Sequence, residues 1–163
     1  MRLVRAIVLA ILVGSCQNVG STPSPSHSTV PCGPSEVFIR HEHAHLTILI
    51  RGQIKTVPAF VGITATSICW LHTHDTSGII HIEAGDSRVL TLADFFAVWG
   101  QALSQTVIDG DRAGGGESVQ ATVDQQPYTG APGTIVLKDH EDIVLQLGPP
   151  FLTLQPYVGP AGY

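Results

Sequence analysis

From Val37 to Ile50 the apolar and polar residues alternate with a period of two. Ala44, Leu46, Ile48 and Ile50 fall on one side, and His41, His43, His45 and Thr47 on the other. Side chains alternate across a strand, so this pattern predicts a half-buried strand whose histidines oppose its apolar face. "RGQ" (51–53) predicts a tight turn, and "IKTVPAFVGI" a returning strand interrupted at Pro58. The pattern recurs further on, with Ile80, Ile82 and Ala84 on one face and His81 and Glu83 on the other.

The period then changes. In "TLADFFAVW" (91–99), Leu92, Phe95, Phe96 and Trp99 lie at helical spacing and form one apolar stripe. Thr91 is placed to cap this helix, Asp94 to close a capping box, and Gly100 to stop it. An aromatic stripe of this kind belongs to a core. Beyond the Gly-rich "DGDRAGGGES" (109–118), "VQATVD", "TIVLKDH" and "DIVLQLG" read as strands. The last two are expected to form a hairpin turning at "DHED", which puts His140 in a turn. The order of elements predicts one small α+β domain, a mainly antiparallel sheet with one amphipathic helix packed on it. A β-grasp-like arrangement fits that order.

The ends of the chain have a different composition. Residues 1–15 carry Arg2 and Arg5 ahead of an apolar run, Ala6 to Val13, too short to span a bilayer and suited to a signal peptide. The run closes in "LVGSC", which resembles a bacterial lipobox and implies cleavage before Cys16 and a lipid on its sulfur; ordinary secretory cleavage nearby is the alternative. Residues 16–31, rich in Ser and Pro and containing His27, read as a tether. The folded domain is assigned to residues 32–150, and 151–163 form a Pro/Gly-rich tail that either packs on the surface or hangs free. The expected location is outside the cytoplasm, with the membrane as a partner through the anchor at Cys16. Without Arg2 and Arg5, six Lys and Arg remain against thirteen Asp and Glu, a net charge of −7. That balance, with no basic cluster, excludes nucleic acid as a partner. No protein partner is indicated.

Six of the eight histidines lie between His41 and His81. Imidazole is a common metal ligand, and an ion needs several donors converging from different directions. His43 with His45, and His72 with His74, form His-x-His pairs; on adjacent strands they could surround one ion, with His41 and His81 completing the set or standing just outside it. Asp75 and Glu83 are placed to accept the remaining ring N–H of a ligating histidine. Imidazole donors suit zinc or copper over calcium or magnesium. The alternatives are a polar face of hydrogen-bonded histidines, a small metallohydrolase echoed in "HTHD", and a Cys-His-Asp nucleophile drawn from Cys69, His72 and Asp75. Cys32 and Cys69 read first as a disulfide in an oxidising compartment, with Cys69 as a thiolate ligand the competing possibility.

"HEHAHLTILIRGQIKTVPAFVGI", "CWLHTHDTSGIIHIEA" and "TLADFFAVWGQ" together resemble a family of uncharacterised bacterial exported proteins over residues 32 to 148. The shared pattern includes His41, His43, His45, Cys69, His72, His74, Asp75, His81 and Glu83. Cys32 also has a counterpart there, which suits pairing with Cys69. The resemblance implies export and an intact histidine motif, and carries no activity with it.

Overall fold

A computed structural model describes residues 28–160. The strands are β1 (Cys32–Gly33), β2 (Arg40–Ile50), β3 (Gln53–Lys55), β4 (Ile68–Cys69), β5 (Leu71–His72), β6 (Ile79–Ala84), β7 (Leu103–Ser104), β8 (Val107–Ile108), β9 (Asp111–Arg112), β10 (Ser118–Val123), β11 (Gln126–Tyr128) and β12 (Glu141–Gly148). One helix, α1 (Leu92–Trp99), precedes β7. The main sheet runs β11-β10-β12-β2-β6-β5, with β3 also on β2. This is the expected small α+β domain with a mainly antiparallel sheet.

Strand β2 organises that sheet. Its first half pairs with β6, from Arg40 opposite Ala84 to His45 opposite Ile79. Its second half turns back on β3 through Arg51 and Gly52, both at positive φ, as a two-residue hairpin requires. Along its other edge it pairs with β12 in parallel, the only parallel ladder among the described residues.

The pleat then sorts side chains by face. Ala44, Leu46 and Ile48 of β2, Ile80, Ile82 and Ala84 of β6, Leu71 of β5, and Ile143, Leu145 and Leu147 of β12 join one buried cluster with Leu92, Phe95 and Phe96 of α1. The helix begins as its sequence predicts: the Thr91 hydroxyl accepts from the Asp94 backbone, the Asp94 carboxylate accepts from the Thr91 backbone, and Gly100 closes the other end in the left-handed conformation. Each buried Leu, Ile or Phe contributes on the order of 1.5–3 kcal/mol. The helix covers one face of the sheet and leaves the histidine face without it.

Two expectations are corrected, and one of the two arrangements expected for the tail is found. The returning strand stops at Lys55, short of Pro58, and the chain turns from Ala59 to Gly62. Residues 134–140 do not form a hairpin with β12. Ile135 and Leu137 are buried, but their carbonyl and amide pair with Leu92 and Leu90 at the entrance to α1. Apolar alternation had the right face and the wrong partner, since β12 takes its antiparallel neighbour from β10. The tail packs rather than hangs: the Gln146 side chain bonds both to the backbone amide of Leu152 and to its carbonyl, and the Tyr157 amide donates to Asp142. His140 does occupy a turn, at φ 60°. The proposed signal peptide, Cys16, His27 and the last three residues lie outside the described residues.

Cys32 and Cys69 face each other across β1 and β4 and form a disulfide. It closes a separation of 37 residues and ties the chain ahead of β2 to the segment carrying His72 and His74. Replacing both cysteines with serine should lower stability by about 2–4 kcal/mol, through the freedom returned to the unfolded chain. Urea denaturation of the oxidised protein and the Cys32→Ser/Cys69→Ser variant checks this; equal midpoints would refute it.

Candidate metal centre

The face opposite the helix carries a row of histidines in strict register. On β2, His43 lies opposite His81 of β6, and His81 lies opposite His72 of β5. The next pair along that face is His41 and Glu83. His81 is thus the middle of the row. The two His-x-His pairs do not sit on adjacent strands, because β6 runs between them. Nor does His74 share a strand with His72: it lies two residues beyond, past the end of β5.

Two donor groups result. His72, His74, His81 and Glu83 offer ligand atoms all within 4.8 Å of one another, and His41, His43 and His81 do the same. In the first group the Nε2 atoms of His72 and His74 are 3.2 Å apart. Oε1 of Glu83 lies 3.8 Å from His72 Nε2 and 3.7 Å from His81 Nδ1. Four ligands around a tetrahedral zinc, with bonds of about 2.0–2.1 Å, stand roughly 3.3–3.4 Å apart. These three separations are therefore within about half an ångström of ligand spacing, and the remaining pairs lie within 4.8 Å. The same Glu83 oxygen is 3.4 Å from His41 Nε2, so this one carboxylate touches both groups.

Orientation supports the spacing. The His72 ring donates from Nδ1 to the carbonyl of Cys69 at 2.9 Å, which leaves the Nε2 lone pair directed at His74. Fixing the tautomer through the far nitrogen is how ligating histidines are commonly held. His72 is fully buried and Glu83 only 3% exposed. Two buried atoms in this group, His81 Nδ1 and Glu83 Oε2, have no hydrogen-bond partner among the described residues. Buried polar atoms are rarely left unpaired, and a bound ion is one recognised explanation.

The remaining candidates are placed elsewhere or in altered roles. His45 shares the face but leaves the group. Its Nδ1 lies 3.0 Å from the Asp142 carboxylate, its Nε2 lies 3.1 Å from the Ser77 carbonyl, and its ring stacks on Tyr157 at 3.5 Å. Both ring nitrogens face oxygens, so neither lone pair is presented to the other histidines. Gly78, at φ +87°, makes this enclosure tight: a Cβ there would collide with the Leu46 carbonyl and crowd the His45 ring. Asp75 is exposed and accepts from the Ser77 amide in its own turn, so it orients no imidazole. Glu83, expected to accept a ring N–H, is itself among the converging donors. Cys69 is oxidised, which removes both the thiolate ligand and the Cys-His-Asp nucleophile. Three contributors had no signal in the spacing: Glu36, with a carboxylate 3.7 Å from His74 Nε2, Asp139, which accepts from the His43 amide, and the Cys69 carbonyl.

No protein-family model matches the chain, and no curated protein or solved structure does so either. Fold and site nonetheless define a class: a small α+β domain whose sheet presents a histidine and glutamate group that could hold a metal ion.

Burial also sets the charge of the row. It holds the His72 imidazolium down to about 4, partly opposed by the Cys69 carbonyl. Burial and then the neighbouring histidines hold His81 down to about 3. His43 is lowered mainly by burial and then by His41, while burial pushes Glu83 up. In the unfolded chain the histidines take up protons near their ordinary value of 6.5. Between there and about 4 the unfolded state binds more protons, so stability is present above 6.5 and lost as pH falls. Glu83 acts in the opposite sense, weakening the fold as pH rises through its raised value, but the two histidine shifts are larger. For His72 alone the effect is on the order of 3 kcal/mol. Chelator-treated protein should thus have a lower urea midpoint at about pH 5 than at about pH 7.5, and His81→Gln should shrink the difference. A midpoint that rises on acidification would contradict this account.

Proposed function

We propose that this protein is an exported, lipid-anchored domain that binds a transition metal, zinc or copper, through His72, His74, His81 and Glu83. The observation that carries the reading is the inner group itself: three imidazoles and a carboxylate converge from β5, the segment just after it, and β6, with the His72 tautomer fixed by the Cys69 carbonyl. Three nitrogens and one oxygen suit zinc or copper(II) better than calcium or magnesium. The chain's single methionine is Met1, so a thioether-rich copper(I) site is disfavoured. Four protein donors form a closed set, which suits holding or carrying an ion more than activating water on it. The exposed position of Asp75 further weakens the resemblance of "HTHD" to a metallohydrolase motif. Export and anchoring are supported by the lipobox-like "LVGSC" and by a disulfide, which favours an oxidising compartment.

The test is metal content after zinc or copper loading of the full chain, purified without a polyhistidine tag. About one equivalent is expected, with His72→Ala lowering affinity on the order of 10–100-fold and His45→Ala leaving it unchanged. Retention below about 0.2 equivalents, or loss of binding in His45→Ala with none in His72→Ala, would defeat the assignment.

A further inference from the structure

The two donor groups share His81 and differ in their donor sets. His41 of the outer group and His74 of the inner group are each 44% exposed at the side chain, His43 is half-buried, and His72 and Glu83 are buried. The outer set is three imidazoles, which leaves a coordination position for water. The inner set adds an anionic oxygen and a fourth protein donor. A neutral imidazole has one lone pair, so a neutral His81 serves one ion at a time. Occupying both positions together would need a deprotonated His81 that bridges through both ring nitrogens.

We infer that the cluster is a two-position relay for a single divalent ion, captured at His41, His43 and His81 and delivered to His72, His74, His81 and Glu83. The inference rests on the metal-binding reading above and adds a route to it. Glu83 is the link, because its Oε1 lies 3.4 Å from His41 Nε2, 3.7 Å from His81 Nδ1 and 3.8 Å from His72 Nε2. An ion leaving the outer histidines therefore stays beside His81 and the carboxylate until the buried donors take it. The direction follows from the donor sets: water is exchanged for protein ligands, and a positive ion gains a negative one. By microscopic reversibility, release along this route runs back through the outer histidines. The cargo class is a divalent transition ion that is loaded and unloaded, as a carrier requires.

The relay makes a kinetic demand that a single fixed site does not. Outer donors that are left behind in the final complex must alter loading and release together and leave the equilibrium nearly untouched. The experiment is stopped-flow loading of zinc into the full chain and its withdrawal by a chromophoric chelator, with stoichiometry from native mass spectrometry. For His41→Ala/His43→Ala, both rates are expected to fall about 10-fold or more while Kd changes less than about 3-fold, since Kd is their ratio. For Glu83→Gln, which keeps the shape of the side chain, affinity should fall on the order of 10–100-fold. Far-UV circular dichroism establishes that each variant is folded, and His41→Gln/His43→Gln repeats the outer test with bulk retained. One equivalent in the parent protein with the paired slowing supports the relay. Two equivalents, or an outer variant that weakens Kd with loading unchanged, overturns the relay and leaves metal binding standing. No zinc uptake by the parent protein overturns both.

Discussion

Everything on the histidine face depends on the period-two pleat of β2 and β6 being held in one register. Ile80, Ile82 and Ala84 are buried against Ala44, Leu46 and the aromatic side chains of α1, and a slip of one residue would turn all of them toward solvent. The register that buries the aliphatic residues is therefore the register that stacks His72, His81 and His43 in a row and sets Glu83 opposite His41. No separate force need assemble the donors. Hydrophobic burial on one face positions the chemistry on the other.

The disulfide adds a local constraint to that global one. β5 is only two residues long, too short to fix its own geometry. Cys69 is bonded to Cys32 just ahead of it, and the Cys69 carbonyl receives the His72 ring. Covalent attachment thus reaches the imidazole through one hydrogen bond. Cys69 contributes to the site as a backbone acceptor rather than as a sulfur ligand, held by the disulfide, by its amide hydrogen bond to Gly62 and by pairing with β1.

Much of this was legible in the sequence, for physical reasons. Alternation at 41–50 and 79–84 defines which face each histidine occupies, and "TLADFFAVWG" carries its own start, stripe and stop. What alternation cannot give is the lateral order of strands. His72 and His43 look like natural neighbours in the sequence, yet β6 runs between them and makes His81 the centre. His45 has the same periodicity as His43, and only the neighbouring β12 and the returning tail, through Asp142 and Tyr157, remove it from the group. A carboxylate near histidines in a sequence points to an acceptor for a ring N–H. Burial among three rings, set by its place opposite His41, puts Glu83 among the donors that could hold an ion.

Protons and metal ions compete for the same lone pairs, and this bears on the polar-face alternative. A row of hydrogen-bonded histidines could satisfy itself if each ring found an oxygen, as His45 does. The inner group is built differently. Its rings face one another and a single carboxylate, burial disfavours the imidazolium forms of His72 and His81, and His81 Nδ1 and Glu83 Oε2 stay unpaired. His72 and His74 bond to each other, but the buried His81 Nδ1 and Glu83 Oε2, left without a hydrogen bond, are an energetic cost at this face. A cation bound at these atoms would remove that cost, in keeping with a donor group that could hold a metal ion.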